Sequence, residues 1–243
     1  MLIPPIGDGS LHHILLPENG RRMAKVPGIL KNIVPPAFAD TVYDVTDYGA
    51  KSDTTFDSRP AILQAISHCN TNGGGTVLIP AGNYFIKGAI TLKSNINLHI
   101  AEGARLEFST KAADYLPMVL TKWEGTECFN YSPFIYAYQC TNVAVTGKGT
   151  IDGNGSVTFN GWHAIQGPAV DRLRQMGIDS VPVYQRVFGE GHYLRPCMIQ
   201  FYGCKERIGR RFKNLRFSLL DHSSRILRQR NRTECIYRQQ QLQ

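Results

Sequence analysis

The chain has 243 residues, of which 42% are hydrophobic, so it is long enough to bury a substantial core in one or two domains. Its formal net charge of +8 lies at one end, because residues 205–243 carry 11 Lys/Arg against 3 Asp/Glu while the rest of the chain is balanced. A neutral body gives no reason to expect a nucleic-acid partner. No run approaches the ~18 apolar residues of a membrane span, and the N-terminus shows no basic segment followed by an apolar run. Neither a membrane span nor a signal peptide is therefore predicted.

The first part of the chain predicts a leader, one strand and one helix. Residues 1–40 are rich in proline and glycine and predict a leader or surface-draped segment. Alternation from Val42 predicts a strand that ends at Gly49. Asp57 or Ser58 is expected to cap a helix with Pro60 in its first turn. The apolar face of that helix comprises Ala61, Ile62, Ala65, Ile66 and Cys69.

Short strands separated by turn residues follow, and two patterns repeat. The block IYAYQCTNVAV at 135–145 recurs as IQFYGCKERIG at 199–209. The pattern N-[VI]-x-[LV] occurs at Asn95 and again at Asn142, where asparagine suits a left-handed corner. Such repeats predict a stacked solenoid, in which each unit buries its face against the next. A Greek-key sandwich would also give short strands, but the matched corners favour the solenoid.

The second copy of the repeat breaks down towards its end. Where the first copy has Asn142, Val143 and Val145, the second has Glu206, Arg207 and Gly209, so the strand is expected to fail at Glu206. Residues 41–204 are then a partial β-helix domain, and 205–243 a basic tail that is disordered or translated out of frame. A nucleic-acid-binding tail is the weaker alternative, because no known motif accompanies its charge.

Cysteine spacing gives no sign of a metal site, since no two cysteines are arranged as CxxC. Cys140 and Cys204 occupy equivalent positions of the repeat. We expect them to be buried thiols stacked in neighbouring coils rather than a disulfide, because cysteine is among the most buried residue types.

Residues 156–196 interrupt the strands and predict a long excursion with a short helix around Val170–Met176. In repeat folds such excursions often lie on the binding side. On it, Glu190, His192 and Arg195 precede the next strand, and His192 with Arg195 could hold the carboxylate of a ligand. The alternative is an insertion anchored by ordinary surface pairs.

Three aromatic residues are candidates for stacking on the rings of a ligand. These are Trp123, Tyr131 and Trp162. The favoured alternative is partial burial over the flank of the solenoid, because aromatic side chains bury large areas. His192, Arg195, Trp123 and Tyr131 are the predicted substrate-binding residues.

Several segments together resemble glycoside hydrolase family 28, the polygalacturonases of pectin breakdown. The resemblance covers about residues 40–205 and is carried by YDVTDYGA, AILQAI, GGGTVLIPAGNYFI, LKSNINLHIAEGARL, WEGTECFNYSPFIYAYQCTNVAVTGKGTIDGNG and GHYLRPCMIQFYGCK. It implies an all-β, right-handed parallel β-helix with an N-terminal capping helix, incomplete at its C-terminal end. It also implies inverting hydrolysis of galacturonosyl bonds without a metal or cofactor, in a secreted or periplasmic protein.

The catalytic motifs of that family are absent from this sequence. The family uses an Asn-Thr-Asp motif, an Asp-Asp pair, a Gly-His-Gly histidine and an Arg-x-Lys pair. The first three do not occur in the 243 residues, and the fourth spacing occurs only at Arg211-Phe212-Lys213, within the basic tail. No catalytic residue is therefore carried over, and the chain is expected to be inactive. Asp152 in GTIDGNG is interpreted as a turn residue rather than a catalytic acid.

The partner implied by the resemblance is pectin or another acidic polysaccharide. Two other functions remain open: a β-helix that binds acidic polysaccharide without cleaving it, and a pectate lyase-like enzyme that uses calcium and an arginine.

Overall fold

The structure is a computed structural model, and it describes residues 36–155, 158–208 and 216–218, with side chains described as far as residue 205. The α-helices within these residues are α1 (Arg59–Thr71), α2 (Trp162–Ile165) and α3 (Gly167–Ile178), and short 3-10 helices cover Val45–Tyr48, Ala112–Tyr115 and Val183–Gln185. The strands are, in chain order, β1 (Val42–Asp44), β2 (Gly75–Ile79), β3 (Gly82–Ile86), β4 (Ile90–Thr91), β5 (Ile96–Ile100), β6 (Ala104–Phe108), β7 (Val119–Trp123), β8 (Thr126–Asn130), β9 (Ile135–Tyr138), β10 (Thr141–Gly147), β11 (Thr150–Asp152), β12 (Val187–Phe188), β13 (Ile199–Tyr202), β14 (Lys205–Ile208) and β15 (Arg216–Ser218).

Three stacks of parallel strands form the body of the protein. The first stack has the order β1-β2-β5-β10-β14, the second β3-β6-β11-β15, and the third β4-β9-β13. The chain visits the stacks in turn, so β2, β3 and β4 make one coil, β5, β6 and β9 the next, and β10, β11 and β13 the third. This is a parallel β-helix, as expected from the sequence. We keep its right-handed sense as an expectation, because nearly all parallel crossovers have that hand.

The strand registers reproduce both repeats seen in the sequence. Ile199 lies opposite Ile135 and Tyr202 opposite Tyr138, which is the alignment of the longer repeat. Val143 lies opposite Ile96, which is the alignment of the N-[VI]-x-[LV] pattern. A spacing shared by two sequence blocks therefore corresponds to one full turn of the coil.

The interior is a column of apolar side chains from successive coils. Val77 lies opposite Leu98, and Leu98 lies opposite Val145, and all three are fully buried. Buried residues alternate with less buried ones along β2, β5 and β6, so about every second side chain of these strands reaches the core. Short strands with few apolar residues are therefore enough to form a core, because the inward side chains of each strand pack against those of the strands in the neighbouring coils.

Asparagines turn the corner before the first stack, as the sequence predicted. Asn95 and Asn142 adopt left-handed backbone angles, with φ of 62° and 56°. The Asn142 side-chain amide donates to Oδ1 of Asn95 at 3.2 Å and to the backbone oxygen of Ala37 at 2.7 Å. The two side chains are thus linked along the axis of the coil.

Helix α1 packs its apolar face onto the main core. Its five predicted apolar residues are all buried in that core. Asp57 provides the N-terminal cap, because its Oδ1 accepts from the backbone N–H of Arg59 at 3.0 Å, whereas Ser58 makes no capping bond. That α1 caps the end of the β-helix, and that the β-helix is incomplete, stay predictions.

The expected failure of the strand at Glu206 is wrong. β14 extends the first stack, with Lys205 opposite Thr141 and Arg207 opposite Val143, and β15 extends the second stack. Backbone hydrogen bonds hold such a strand, and charged residues supply them as well as apolar ones. The rest of the predicted tail and residues 1–35 of the predicted leader lie outside the described residues. The domain boundaries and the out-of-frame origin of the tail stay predictions.

Two excursions leave the coil at the same corner, between the second and third stacks. The first is the antiparallel hairpin of β7 and β8, and the second contains α2, α3 and β12. They meet where β12 pairs with β8 in parallel. α3 also contains the helix predicted around Val170–Met176. Together the excursions enclose an apolar cluster of their own, formed by Trp123, Cys128, Ala169, Val170, Leu173, Phe188 and Leu194. We call the two excursions the flanking unit.

Candidate functional site

The predicted aromatic residues are buried. Trp123 is 8% exposed and belongs to the apolar cluster of the flanking unit. Tyr131 is 5% exposed, and its ring lies 5.4 Å from that of Trp162, which is buried as well. A sugar ring would reach only an edge of these side chains. Their role in substrate binding stays a prediction. Their burial agrees with the favoured alternative, in which these aromatic side chains pack over the flank of the solenoid.

The predicted basic residues, His192 and Arg195, turn towards different neighbours. Arg195 is buried, and its Nε donates to Oε1 of Gln166 at 3.2 Å. His192 is half-buried, with its Nε2 3.0 Å from Nη1 of Arg172, and its ring packs edge-on against Phe188. Since the guanidinium of Arg172 can only donate, Nε2 is the acceptor and the proton sits on Nδ1. The joint role of His192 and Arg195 in holding a sugar carboxylate stays a prediction, and Glu190 is exposed beside them.

Asp152 is a structural residue, as the sequence indicated. It is 3% exposed at the end of β11, paired with Arg105, and its Oδ1 accepts from the backbone N–H of Asn154 at 2.9 Å. Both carboxylate oxygens are therefore engaged. A carboxylate held in this way fixes a turn and is not available to protonate a leaving group.

Cys140 and Cys204 are buried thiols that form no disulfide, so the expectation of stacked thiols rather than a disulfide is confirmed. A hydrogen bond with Cys204 and burial both raise the pKa of the Cys140 thiol. A thiol with a raised pKa is a poor nucleophile at neutral pH, because the thiolate is the reactive form. Among the described residues, no three His, Cys, Asp or Glu side chains lie close enough together to hold a metal ion.

An open pocket of about 580 Å³ lies in the flanking unit, between the turn of the β7–β8 hairpin and the last turns of α3. This pocket was not predicted from the sequence. Its cationic residues are far apart in the chain and form no motif, so they come together only through the docking of the two excursions. The lining consists of Lys122, Gly125, Thr126, Glu127, Arg174, Gly177, Ile178 and Arg186.

The pocket wall is tied to the β-helix through one carboxylate. Glu127 accepts a hydrogen bond from the Tyr202 hydroxyl, and the Tyr202 ring stacks on Tyr138 at a centroid distance of 5.9 Å. Burial, followed by the bond to Glu127, raises the pKa of Tyr202 to about 12. Gln200 anchors the hairpin beside it, since its Nε2 donates to the backbone oxygen of Lys122 at 2.9 Å. The pocket is therefore held against the third stack.

The sequence and the fold of the chain are similar to those of known proteins. A family model for "Rhamnogalacturonase A/epimerase, pectate lyase-like" matches residues 42–115. The exopolygalacturonase of Thermotoga maritima has a solved structure that superposes with a TM-score of 0.72 at 36% identity, over 76% of this chain and 44% of that one. The resemblance to glycoside hydrolase family 28 is confirmed. The chain has the β-helix fold of the pectin-lyase-like proteins.

Two curated relatives show how much of a longer protein the family 28-like region covers. An exo-poly-alpha-D-galacturonosidase of Dickeya chrysanthemi is 36% identical over 122 residues, 47% of this chain and 20% of that protein. The plasmin and fibronectin-binding protein A of Streptococcus pneumoniae is 29% identical over 165 residues, 63% of this chain and 21% of that protein. The chain thus spans about a fifth of the length of these relatives. Among the described residues, no helix has the length and apolar character needed to cross a membrane.

Proposed function

We propose that the chain forms the first coils of a polygalacturonase-like glycoside hydrolase that acts on pectin. The likeness to the Thermotoga maritima exopolygalacturonase carries this proposal, because that structure superposes with a TM-score of 0.72 and shares 36% sequence identity. Sequence identity at this level extends beyond shared topology, which by itself would say little about function.

We propose further that these 243 residues do not cleave pectin by themselves. Inverting hydrolysis needs one carboxylic acid and one carboxylate about 6.5–9.5 Å apart across the scissile bond. The sequence contains neither Asn-Thr-Asp nor Asp-Asp, and Asp152 is engaged in the turn that follows β11. The chain would then supply the scaffold and part of the surface along which a polysaccharide lies.

A chimera tests the proposal directly. Residues 36–208 would be joined to the later coils of the Thermotoga maritima exopolygalacturonase, with the first-stack strands aligned. We expect the chimera to release galacturonate from polygalacturonate, whereas the 243-residue chain alone releases none. A cooperatively folded chimera without hydrolysis would contradict the proposed function. Hydrolysis by the 243-residue chain would contradict its proposed inactivity.

A second candidate function is binding of an acidic polysaccharide without cleavage, and the cationic pocket favours it. Calorimetry with polygalacturonate would show binding without new reducing ends. A pectate lyase-like activity is the remaining alternative, and calcium-dependent formation of unsaturated products would reveal it. In both cases the partner is an acidic polysaccharide, and a secreted or periplasmic location is proposed with it.

A further inference from the structure

We infer that the pocket of the flanking unit binds the carboxylate of a uronic acid residue in the polysaccharide. The anionic character of the ligand follows from the pocket alone. Its identity as a uronate rests on the proposed function.

Charge in the pocket favours an anion. Lys122, Arg174 and Arg186 line it, and Glu127 is the one carboxylate among the lining residues. The lining therefore carries a formal net charge of +2, which attracts an anion. The volume of about 580 Å³ is within the ~300–1,000 Å³ range of small-ligand sites.

Arg186 is held in a fixed orientation. Its Nε donates to the backbone oxygen of Val181 at 2.8 Å, and its Nη1 donates to that of Glu127 at 3.4 Å. Neither of these bonds uses Nη2. A guanidinium fixed by backbone oxygens loses little further freedom when it binds a ligand, and its planar fork suits a carboxylate.

Arg174 can exchange its present partner for a ligand. Its side chain is 63% exposed, and its Nη2 lies 3.7 Å from Oε2 of Glu124. Exposed ion pairs of this length contribute little to stability, so the carboxylate of a sugar can replace Glu124 at small cost. Arg174 therefore supplies positive charge to the pocket, and its present ion pair contributes little to the stability of the fold.

The other side of the pocket suits the ring of a sugar. Ile178 is 75% exposed and offers an apolar surface beside the cations. Glu127, which would repel an anion, is turned to the Tyr202 hydroxyl. The adjacent end of α3 is capped, since the backbone N–H groups of Asp179 and Val181 donate to the oxygens of Gln175 and Met176 at 2.9 Å. The negative end of the helix is thus partly satisfied before a ligand arrives.

Titration of the full chain with a galacturonic acid trimer tests this inference. We expect calorimetry to detect binding that weakens as salt is added. Arg174→Glu should weaken binding about tenfold or more, because it replaces a charge-assisted contact by a repulsion. Arg174→Lys should retain most of the binding, and an uncharged galactose trimer should not bind.

Lys148→Glu is the matched control. Lys148 is also exposed and ion-paired, with its Nζ 3.3 Å from Oε2 of Glu102, but it lies outside the pocket. The Lys148→Glu variant should bind the trimer with the same affinity as the unaltered chain. Equal affinities of Arg174→Glu and Lys148→Glu, or equal binding of the uncharged trimer, would overturn the inference. Unchanged circular dichroism confirms that each variant is folded.

The outcome separates the pocket from the proposed function. If the chimera is active but the chain does not bind the trimer, the inference about the pocket is wrong and the proposed hydrolase function stands. If the chimera folds but is inactive, and binding of the trimer depends on Arg174, the pocket is supported as a uronate site and the proposed hydrolase function is contradicted.

Discussion

Replacement of Glu206 by asparagine should stabilise the β-helix. Position 206 lies opposite Asn142, because the flanking positions Lys205 and Arg207 are opposite Thr141 and Val143. Asn142 already donates to Asn95 in the preceding coil. Its own Oδ1 is buried and has no hydrogen-bond partner among the described residues. An asparagine at 206 would repeat the same bond one coil later.

The expected gain is about 1 kcal/mol in the free energy of unfolding. A net hydrogen bond is worth about 0.5–1.5 kcal/mol, and a buried acceptor left unsatisfied costs about 1–3 kcal/mol. An ionised glutamate is only an acceptor and cannot donate to Asn142 Oδ1, whereas the asparagine amide can.

Urea unfolding followed by circular dichroism measures the change. Glu206→Gln removes the same charge but carries a longer side chain, so it separates the hydrogen bond from the loss of charge. Adding Asn142→Ala to Glu206→Asn should abolish the gain, since a double-mutant cycle isolates the coupling of the two positions. An equal gain in Glu206→Gln, or no gain in Glu206→Asn, would refute the proposed ladder.

Three further predictions concern the core, the thiols and the alkaline range. Phe134 is fully buried and stacks on Phe108 at 5.2 Å, so Phe134→Ala should lower the free energy of unfolding by about 3–5 kcal/mol, with exposed Phe56→Ala as a nearly neutral control. Burial raises the pKa of Cys69 to about 11 and that of Cys128 to about 12, so iodoacetamide should leave both unmodified at neutral pH until the protein is unfolded, as mass spectrometry would show. The pKa of Tyr202 is raised from 10.0 to about 12, so its contribution to stability is complete below pH 10 and is lost as the pH rises towards about 12. Tyr202→Phe should lose less stability over that range in alkaline denaturation, and an identical loss would contradict the assignment.

The coil could be predicted from the sequence because its information is local and repeated. Asn95 and Asn142 stand at equivalent corners, and the spacing between them is the spacing of the strand register. The capping by Asp57 and the buried face of α1 follow from rules that act within one turn of helix.

The cationic pocket could not be predicted in the same way. Lys122 lies on one excursion, and Arg174 and Arg186 lie on the other, so their proximity depends on how two insertions dock. The error at Glu206 has a related cause. Charged residues and a glycine in place of apolar ones favour the end of a strand, but pairing with β10 supplies a backbone ladder that side-chain composition does not reveal.

The shared cluster of the flanking unit makes its two excursions dependent on each other. Removing the hairpin would uncover Leu173 and Phe188, and removing the helical excursion would uncover Trp123 and Cys128. A homologue or a designed variant that shortens one excursion must shorten or redesign the other, because the apolar surface left behind would favour aggregation. The two excursions therefore form one structural unit that is inserted into two successive turns of the solenoid, and they can be exchanged only together.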